Sequence, residues 1–403
     1  MVIPLDRIEE ARQAAQGIVQ HTPLFPARML SEQTGVRVWL KVESFQRTGS
    51  FKIRGAYEFL RRLPEEVRAR GVVTGSAGNH AQGVALAAKM FGVPATIFMP
   101  VFGSIAKMQA AKTYGARVIL EGEGFAEAVE SAQRFARETG ATYVPAYDHD
   151  DIICGQATCG LEVLDDMPEV EQMIVPVGGG GLFAGIASAV KARHPKVSLI
   201  GVQSEGADTA VRSWREGKLV ENPSVRYTLA DGIAVKSPSE RTFEYIRRYA
   251  DEMVTVDDRS IARAVLWLLE RKKIVAEGAG AAGVAAVQSG KVRLRGTTVI
   301  VVSGGNIDAK TLSDLIEREM LQANRYYHFF TAVPDRPGGL AGLLSLIAQA
   351  QGNIMTVNHN RIHPSVPHGW TGVELLVEVR DAEHIAQIER LLRSNGYEVT
   401  VLT

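Results

Sequence analysis

Val72-Val73-Thr74-Gly75-Ser76-Ala77-Gly78-Asn79-His80, leading into the alanine-rich run Ala81 to Phe91, is the stretch whose reading decides the fold. A short β-branched strand enters a small polar loop and then a segment of helical composition. That succession is the βα unit of a parallel sheet. The unit recurs downstream. Ala95 to Met99 reads as a strand, Ser104 to Tyr114 as a helix, Ala116 to Leu120 as a strand and Phe125 to Thr139 as a helix. Tyr143 and Val144 make a short strand, Cys154 to Met167 a helix, Met173 to Val177 a strand, and a helix follows to Lys191. Ser198 to Gln203 and the apolar run Thr298 to Val302 are further strands, with helices at Ile261 to Lys272 and Ala281 to Gln288 between them. Upstream, residues 5–18 and Ala56 to Leu63 read as helices around a strand from Val36 to Val42; residues 205–250 are less regular. Apolar strands alternating with helices predict a doubly wound α/β architecture with buried, mostly parallel strands in two sheets.

The composition changes after Asn324. Tyr326 to Val333 alternates like a half-exposed strand, and Pro334 to Gly339 is a turn. Leu340, Leu343, Leu344 and Ile347 mark one helical face. Ile354 to Arg361 and Gly372 to Val379 are strands. Ile385, Ile388 and Leu392 mark a second helix, and Glu398 to Leu402 is a last strand. This order, βαββαβ, is the ferredoxin-like arrangement. The expected division is residues 1–318, a linker at 319–325, and a second domain at 326–403.

The 403 residues carry 45 Lys+Arg against 45 Asp+Glu, so no electrostatic footprint for nucleic acid or an anionic membrane is present. No apolar run approaches the ~20 residues of a membrane span. Two cysteines, Cys154 and Cys159, are spaced as neither a redox pair nor a metal clip. A soluble, cytoplasmic protein is the expectation.

Lys52 lies between Phe51 and Ile53, with Gly49 and Gly55 nearby. A lysine held in a partly apolar place has a lowered pKa and becomes an amine nucleophile, as Schiff-base chemistry needs. Alone, the pattern fits a solvated surface lysine better. Three later stretches change that. Gly178-Gly179-Gly180-Gly181 follows a strand and opens a helix, so its N–H groups can face a phosphate; a ligand-free tight turn is the alternative. Gly179, Gly181 and Ala184 also fit a dinucleotide spacing, with Glu205 where a ribose partner would sit, although nothing else asks for a hydride. Ser303 follows the strand ending at Val302. Its hydroxyl can hydrogen-bond a pyridine nitrogen without protonating it, or merely cap a turn. Ser76, Ala77, Gly78, Asn79 and His80 lie at a strand-to-helix junction able to hold a substrate carboxylate, and Asn79 can hold a ring hydroxyl. His80 reads as a general base or as a structural histidine. Because Lys52 can move the proton itself, the structural role is favoured.

Together these residues resemble the fold-type-II pyridoxal-phosphate enzymes, most closely the threonine dehydratases (threonine ammonia-lyases) with a C-terminal ACT domain. The resemblance rests on His21 to Leu24, Ser50 to Gly55, Ser76 to Gln82, Gly178 to Leu182, Ala230-Asp231-Gly232, Glu277 to Ala281 and Ser303 to Asp308. It implies pyridoxal 5'-phosphate as cofactor, with Lys52 as the catalytic, cofactor-carrying lysine. Phe51 would pack on the ring, Asn79 would meet the ring hydroxyl, Gly178 to Leu182 would hold the phosphate, Gly232 would line the site and Ser303 would meet the ring nitrogen. Ser76 to His80 would bind the amino-acid substrate. Residues 44–147 would form a smaller subdomain that closes over it. The implied activity is deamination of L-threonine to 2-oxobutanoate and ammonia, with L-serine as a side substrate. The related serine racemases carry a serine where this chain has Ala77, which argues against racemisation. The divalent-metal site of those racemases matches Gln203 and Thr209 here, so no metal is expected.

The second domain resembles an ACT domain through Asp335 to Leu340 and Gly352-Asn353-Ile354. That likeness implies an amino-acid effector, isoleucine with valine opposing it, at Gly338, Leu340, Asn353 and Ile354, and a homodimer or homotetramer. Two alternatives stay open: a serine dehydratase or racemase, and a catalytically silent amino-acid sensor.

Overall fold

The computed structural model describes residues 3–103, 105–222, 227–361 and 366–402. Ser104, expected to open a helix, and residues 223–226 of the irregular stretch lie outside them. The chain divides into two compact units, Met1–Asp308 and Ala309–Thr403.

The first unit contains strands β1 (Leu24–Pro26), β2 (Val38–Val42), β3 (Val72–Gly75), β4 (Ala95–Met99), β5 (Arg117–Leu120), β6 (Thr142–Tyr143), β7 (Gln172–Pro176), β8 (Ser198–Ser204), β9 (Glu252–Val256) and β10 (Thr298–Val302). One sheet has the order β1-β2-β10-β7-β8-β9, parallel except for edge strand β1. The other, β5-β4-β3-β6, is wholly parallel. β10 and β7 are buried along their whole length, which is why they read as continuous apolar runs. Crossover helices cover the sheets. In parallel sheets, ligands bind outside the carboxyl ends of the strands. Gly75, Pro176 and Val302 end β3, β7 and β10, so Ser76, Gly178 and Ser303 all follow such ends.

The helix carrying Lys52 runs over Lys52–Arg62, earlier than the expected start at Ala56. Phe51 is already helical at φ −58°, and its N–H donates to Ser303 O at 3.1 Å. Glycines seat this helix against Asp150–Asp166. A Cβ on Gly155 would lie 2.3 Å from Arg54 O, and one on Gly55 would lie 2.4 Å from Gln156 Nε2. β1, β9 and the helices Arg28–Thr34, Thr209–Glu216 and Glu240–Tyr249 were not expected. β1 and β9 are short edge strands whose definition comes from pairing with β2 and β8. The helix expected to Lys272 is α-helical over Asp258–Trp267 and then loosens into one π-turn, Leu268–Lys272.

The second unit begins with the helix Ala309–Gln322, which occupies part of the expected linker 319–325. Buried Leu315 and Met320 give that segment a reason to stay helical. Then come β11 (Tyr326–Pro334), a helix Gly339–Gln349, β12 (Asn353–Asn360), β13 (Trp370–Glu378), a helix Ala382–Ser394 and β14 (Thr400–Val401). The sheet is antiparallel in the order β12-β13-β11-β14. Phe329, Val333, Leu343, Ile347, Leu375 and Ile388 build its core. This is the expected βαββαβ order.

Candidate active site

The strand ends of the first unit surround a cavity of ≈ 420 Å³. That volume falls within the usual range for small-molecule sites. Phe51, Lys52, Ser76, Ala77, Gly78, Asn79, His80, Gly178, Gly179, Leu182, Gly232 and Ser303 line it, so residues from five separate segments converge. Gly180 and Gly181 are not among the lining residues; Gly180 turns the backbone at φ 90° and Gly181 starts the helix Gly181–Arg193.

Lys52 Nζ donates to Ala146 O at 3.0 Å and lies 5.2 Å from the Phe51 ring centroid. Burial lowers its pKa to about 8, partly offset by the charge of Glu277. The amine is therefore available near neutral pH. His80 is buried, and its Nε2 is 3.0 Å from Val144 O, the geometry of a donated N–H. Burial, with the nearby Lys52 charge, lowers its pKa to about 3, so it is neutral at pH 7. It has the surroundings of a structural histidine.

The Gly178–Gly181 turn is shaped by what crowds it. A Cβ on Gly179 would lie 2.4 Å from the Tyr147 ring, and one on Gly178 would lie 2.9 Å from Ile233 Cα. Thr242 Oγ1 donates to Gly179 O at 2.7 Å and holds the peptide plane. Bare backbone N–H groups in front of a helix N-terminus are suited to a phosphate. Ser303, buried, faces the same cavity. A buried amine, a side-chain-free turn and a neutral hydroxyl together suit a phosphorylated pyridine aldehyde, so the residues present fit the group expected.

Ser76 Oγ accepts from Gly78 N at 3.3 Å, bending the loop ahead of the helix Asn79–Phe91. Ala77 contributes only a methyl group. Gln203, at the position compared with a metal ligand, is a neutral amide whose Oε1 accepts from Ala210 N and Val211 N at 2.9 and 3.1 Å. Among the described residues, no group of three or more His, Cys, Asp or Glu is placed to hold a metal ion.

The pocket residues not among the expected site residues include Lys107, Tyr147, Asp231, Glu277 and Asp308. Lys107 Nζ donates to Asp231 Oδ2 at 2.9 Å. Glu277 Oε1 accepts from Asn79 Nδ2 at 2.6 Å. A signal for Glu277 existed, since it is a lone carboxylate in the small apolar run Ile274 to Ala281. Nothing local marks Lys107 or Tyr147.

In the second unit, Gly338 (φ 89°) and Leu340 lie where the helix Gly339–Gln349 begins, while Asn353 and Ile354 lie beyond its end. Eleven helical residues span about 16 Å, so one copy does not bring the two pairs together. Asn353 Nδ2 donates to Glu378 Oε2 at 2.9 Å.

Comparisons with known proteins agree with this geometry. A family profile described as "Pyridoxal-phosphate dependent enzyme" matches residues 15–304, and one described as "ACT domain" matches residues 329–396. The chain is 47% identical over 402 residues to the L-threonine ammonia-lyase of Thermotoga maritima, covering 100% of both chains. It is 45% identical over 402 residues to the L-threonine ammonia-lyase of Geobacter sulfurreducens, again covering 100% of both. Among solved structures, maize serine racemase superposes with a TM-score of 0.75 at 34% identity, covering 80% of this chain and 100% of that one. Processed threonine deaminase isoform 2 of Solanum lycopersicum superposes with a TM-score of 0.74 at 34% identity, covering 79% of this chain and 87% of that one. With the amine, the glycine turn and the matching profile at one site, the chain belongs to the family of pyridoxal-phosphate dependent enzymes.

Proposed function

We propose that this chain is a threonine ammonia-lyase, converting L-threonine to 2-oxobutanoate and ammonia, with L-serine as a side substrate. One observation carries the reading: the buried amine of Lys52, with its pKa lowered to about 8, faces the glycine turn and Ser303 across one small cavity. The choice of threonine follows the full-length relatives bearing that activity in their names.

Pyridoxal 5'-phosphate, when bound, supplies an electron sink for charge developing at the substrate α-carbon. The backbone N–H groups of Gly178 to Leu182 would hold the phosphate, Asn79 the ring oxygen and Ser303 the ring nitrogen. Phe51 and Gly232 would bound the ring. Ser76 to His80 offer backbone N–H groups at a helix N-terminus to the substrate carboxylate. Lys52 Nζ would carry the cofactor and would take the proton from the substrate Cα. Loss of that proton and of the Cβ hydroxyl, which leaves as water, gives an enamine, and a second water hydrolyses it to 2-oxobutanoate and ammonia. His80 takes no part in proton transfer.

A second reading, serine racemisation, is favoured by the maize neighbour. Ala77 weighs against it, because its methyl group cannot move a proton on the other face of the cofactor. The ACT unit binds isoleucine, opposed by valine, with Gly338 and Leu340 of one copy meeting Asn353 and Ile354 of a second in a homodimer or homotetramer. The protein works in the cytoplasm.

The test is 2-oxobutanoate release from L-threonine by the cofactor-loaded protein, with and without L-isoleucine. Turnover lowered by isoleucine is expected. No turnover on threonine, with D-serine accumulating from L-serine, would replace this reading by the racemase one.

A further inference from the structure

Glu277 is a buried carboxyl in a stretch otherwise built of small apolar residues. It stands at the N-cap position of the helix Gly278–Gln288, yet its side chain makes no capping hydrogen bond. It turns into the cavity instead, where Oε1 accepts from Asn79 Nδ2 at 2.6 Å. Gly304 makes the room, since a Cβ there would lie 2.3 Å from Oε1.

Asn79 is gripped from its other end as well. Its Oδ1 accepts from Asn306 Nδ2 at 2.6 Å, and Asn306 Nδ2 also donates to Thr48 O at 2.7 Å. A carboxylate only accepts, and an amide nitrogen only donates. The two neighbours therefore impose one orientation on the Asn79 amide. Nδ2 has a second hydrogen beyond the one given to Glu277.

The charged surroundings of Glu277 come from several elements. Lys52 stands at the start of Lys52–Arg62, Lys107 on the helix Ile105–Thr113 and Asp231 on the turn Asp231–Ile233. Lys107 is paired with Asp231 and also feels Asp308, while His80 is buried and neutral. Burial, then Asp231, raises the Glu277 pKa to about 7, against the pull of Lys107, Asn79 and Lys52.

We propose that Glu277 is a positioning residue, which locks the Asn79 amide with Nδ2 toward the ring oxygen of the cofactor. The inference rests on the reading that Asn79 meets the cofactor. A residue acting this way works through Asn79, and its removal is felt there.

Glu277→Gln keeps the size and an acceptor oxygen but loses the charge. Glu277→Ala loses both. The readout is the pyridoxal-phosphate dissociation constant by absorbance titration, taken for each single variant and for the pair with Asn79→Ala. Glu277→Ala should weaken cofactor binding about tenfold, the equivalent of one hydrogen bond's orientation. Added to Asn79→Ala, it should weaken binding no further, because both changes break one arrangement. Glu277→Gln, which keeps the acceptor oxygen, should stay within about threefold of wild type. If the alanine variant fails to fold, Glu277→Leu, which fills the space without an acceptor, takes its place. Wild-type affinity in the variant that lacks the acceptor would overturn the inference, as would additive effects of the two changes. A wild-type protein that binds no pyridoxal phosphate would sink the parent reading first, and this one with it.

Discussion

Lys52 and Arg54 sit two residues apart on one helical turn, and their surroundings treat the two cations oppositely. Arg54 Nε and NH2 donate to Glu43 at 2.8 Å each, and its NH1 and NH2 donate to Glu162 at 2.6 and 2.8 Å. Lys41 Nζ adds contacts to Glu162 and Thr22 O, each at 2.6 Å. Burial works against the Arg54 charge, but Glu43 and Glu162 outweigh it and hold its pKa well above the usual value. Glu162 is likewise held below the usual carboxylate range, because Arg54 and Lys41 overcome its burial. Around Lys52 the balance reverses. One carbonyl, Ala146 O, accepts from the amine, and burial dominates. Arg54, closed off from solvent among two carboxylates, carries a locked charge, whereas Lys52, half-buried at the cavity with one carbonyl partner, carries a poised one. Both the number of charged partners and the depth differ.

The comparison breaks most visibly at its reactive end. Lys52→Ala should cut 2-oxobutanoate formation by roughly a thousandfold or more, with the fold intact by circular dichroism. A variant with wild-type turnover would remove Lys52 from the chemistry. At the locked end, Arg54→Met leaves Glu43 and Glu162 buried without their main partner. About 3–5 kcal/mol of stability should be lost, measured by denaturant unfolding. A loss below ~1 kcal/mol would mean that the network is not holding this turn.

Gly179→Ala puts a methyl group 2.4 Å from the Tyr147 ring, so the turn must shift. Overpacking of this kind costs roughly 1–3 kcal/mol. Cofactor affinity should fall about tenfold by absorbance titration, with L-threonine turnover recovering at high cofactor concentration. The smallest effect concerns pH. Glu277 has its folded pKa raised to about 7, so the folded state holds that proton more tightly than the unfolded chain. Its contribution to stability is full below the ordinary value of 4.5 and is lost as pH rises through about 7. In cofactor-free protein, the melting temperature of wild type should therefore fall relative to Glu277→Gln across that window. A constant difference would show that Glu277 does not titrate there.

Much of the fold is legible in the chain because it is written in local patterns. β10 announces itself as five consecutive apolar or β-branched residues, and the glycines after β7 mark a turn that side chains would block. β11 shows clean period-two burial, as its alternation requires. β9 is harder to see, since Glu252 and Thr255 interrupt its apolar residues and its parallel pairing with β8 supplies the definition. The helix Ala309–Gln322 runs into a stretch whose polar surface residues read like a linker; buried Leu315 and Met320 decide otherwise.

For the site, the sequence alone determined the kinds of groups available: an amine beside an aromatic ring, a four-glycine turn and a serine after a buried strand. Periodicity and turn chemistry are short-range, and they suffice for that. Which groups meet was decided only by the tertiary structure. Asn79 and Glu277 are 198 residues apart in sequence and 2.6 Å apart in space. Lys52 and Ala146 are separated by 94 residues and joined at 3.0 Å. Such contacts arise when two parallel sheets bring their strand ends to one cavity, and the pKa shifts follow from the burial that this packing imposes.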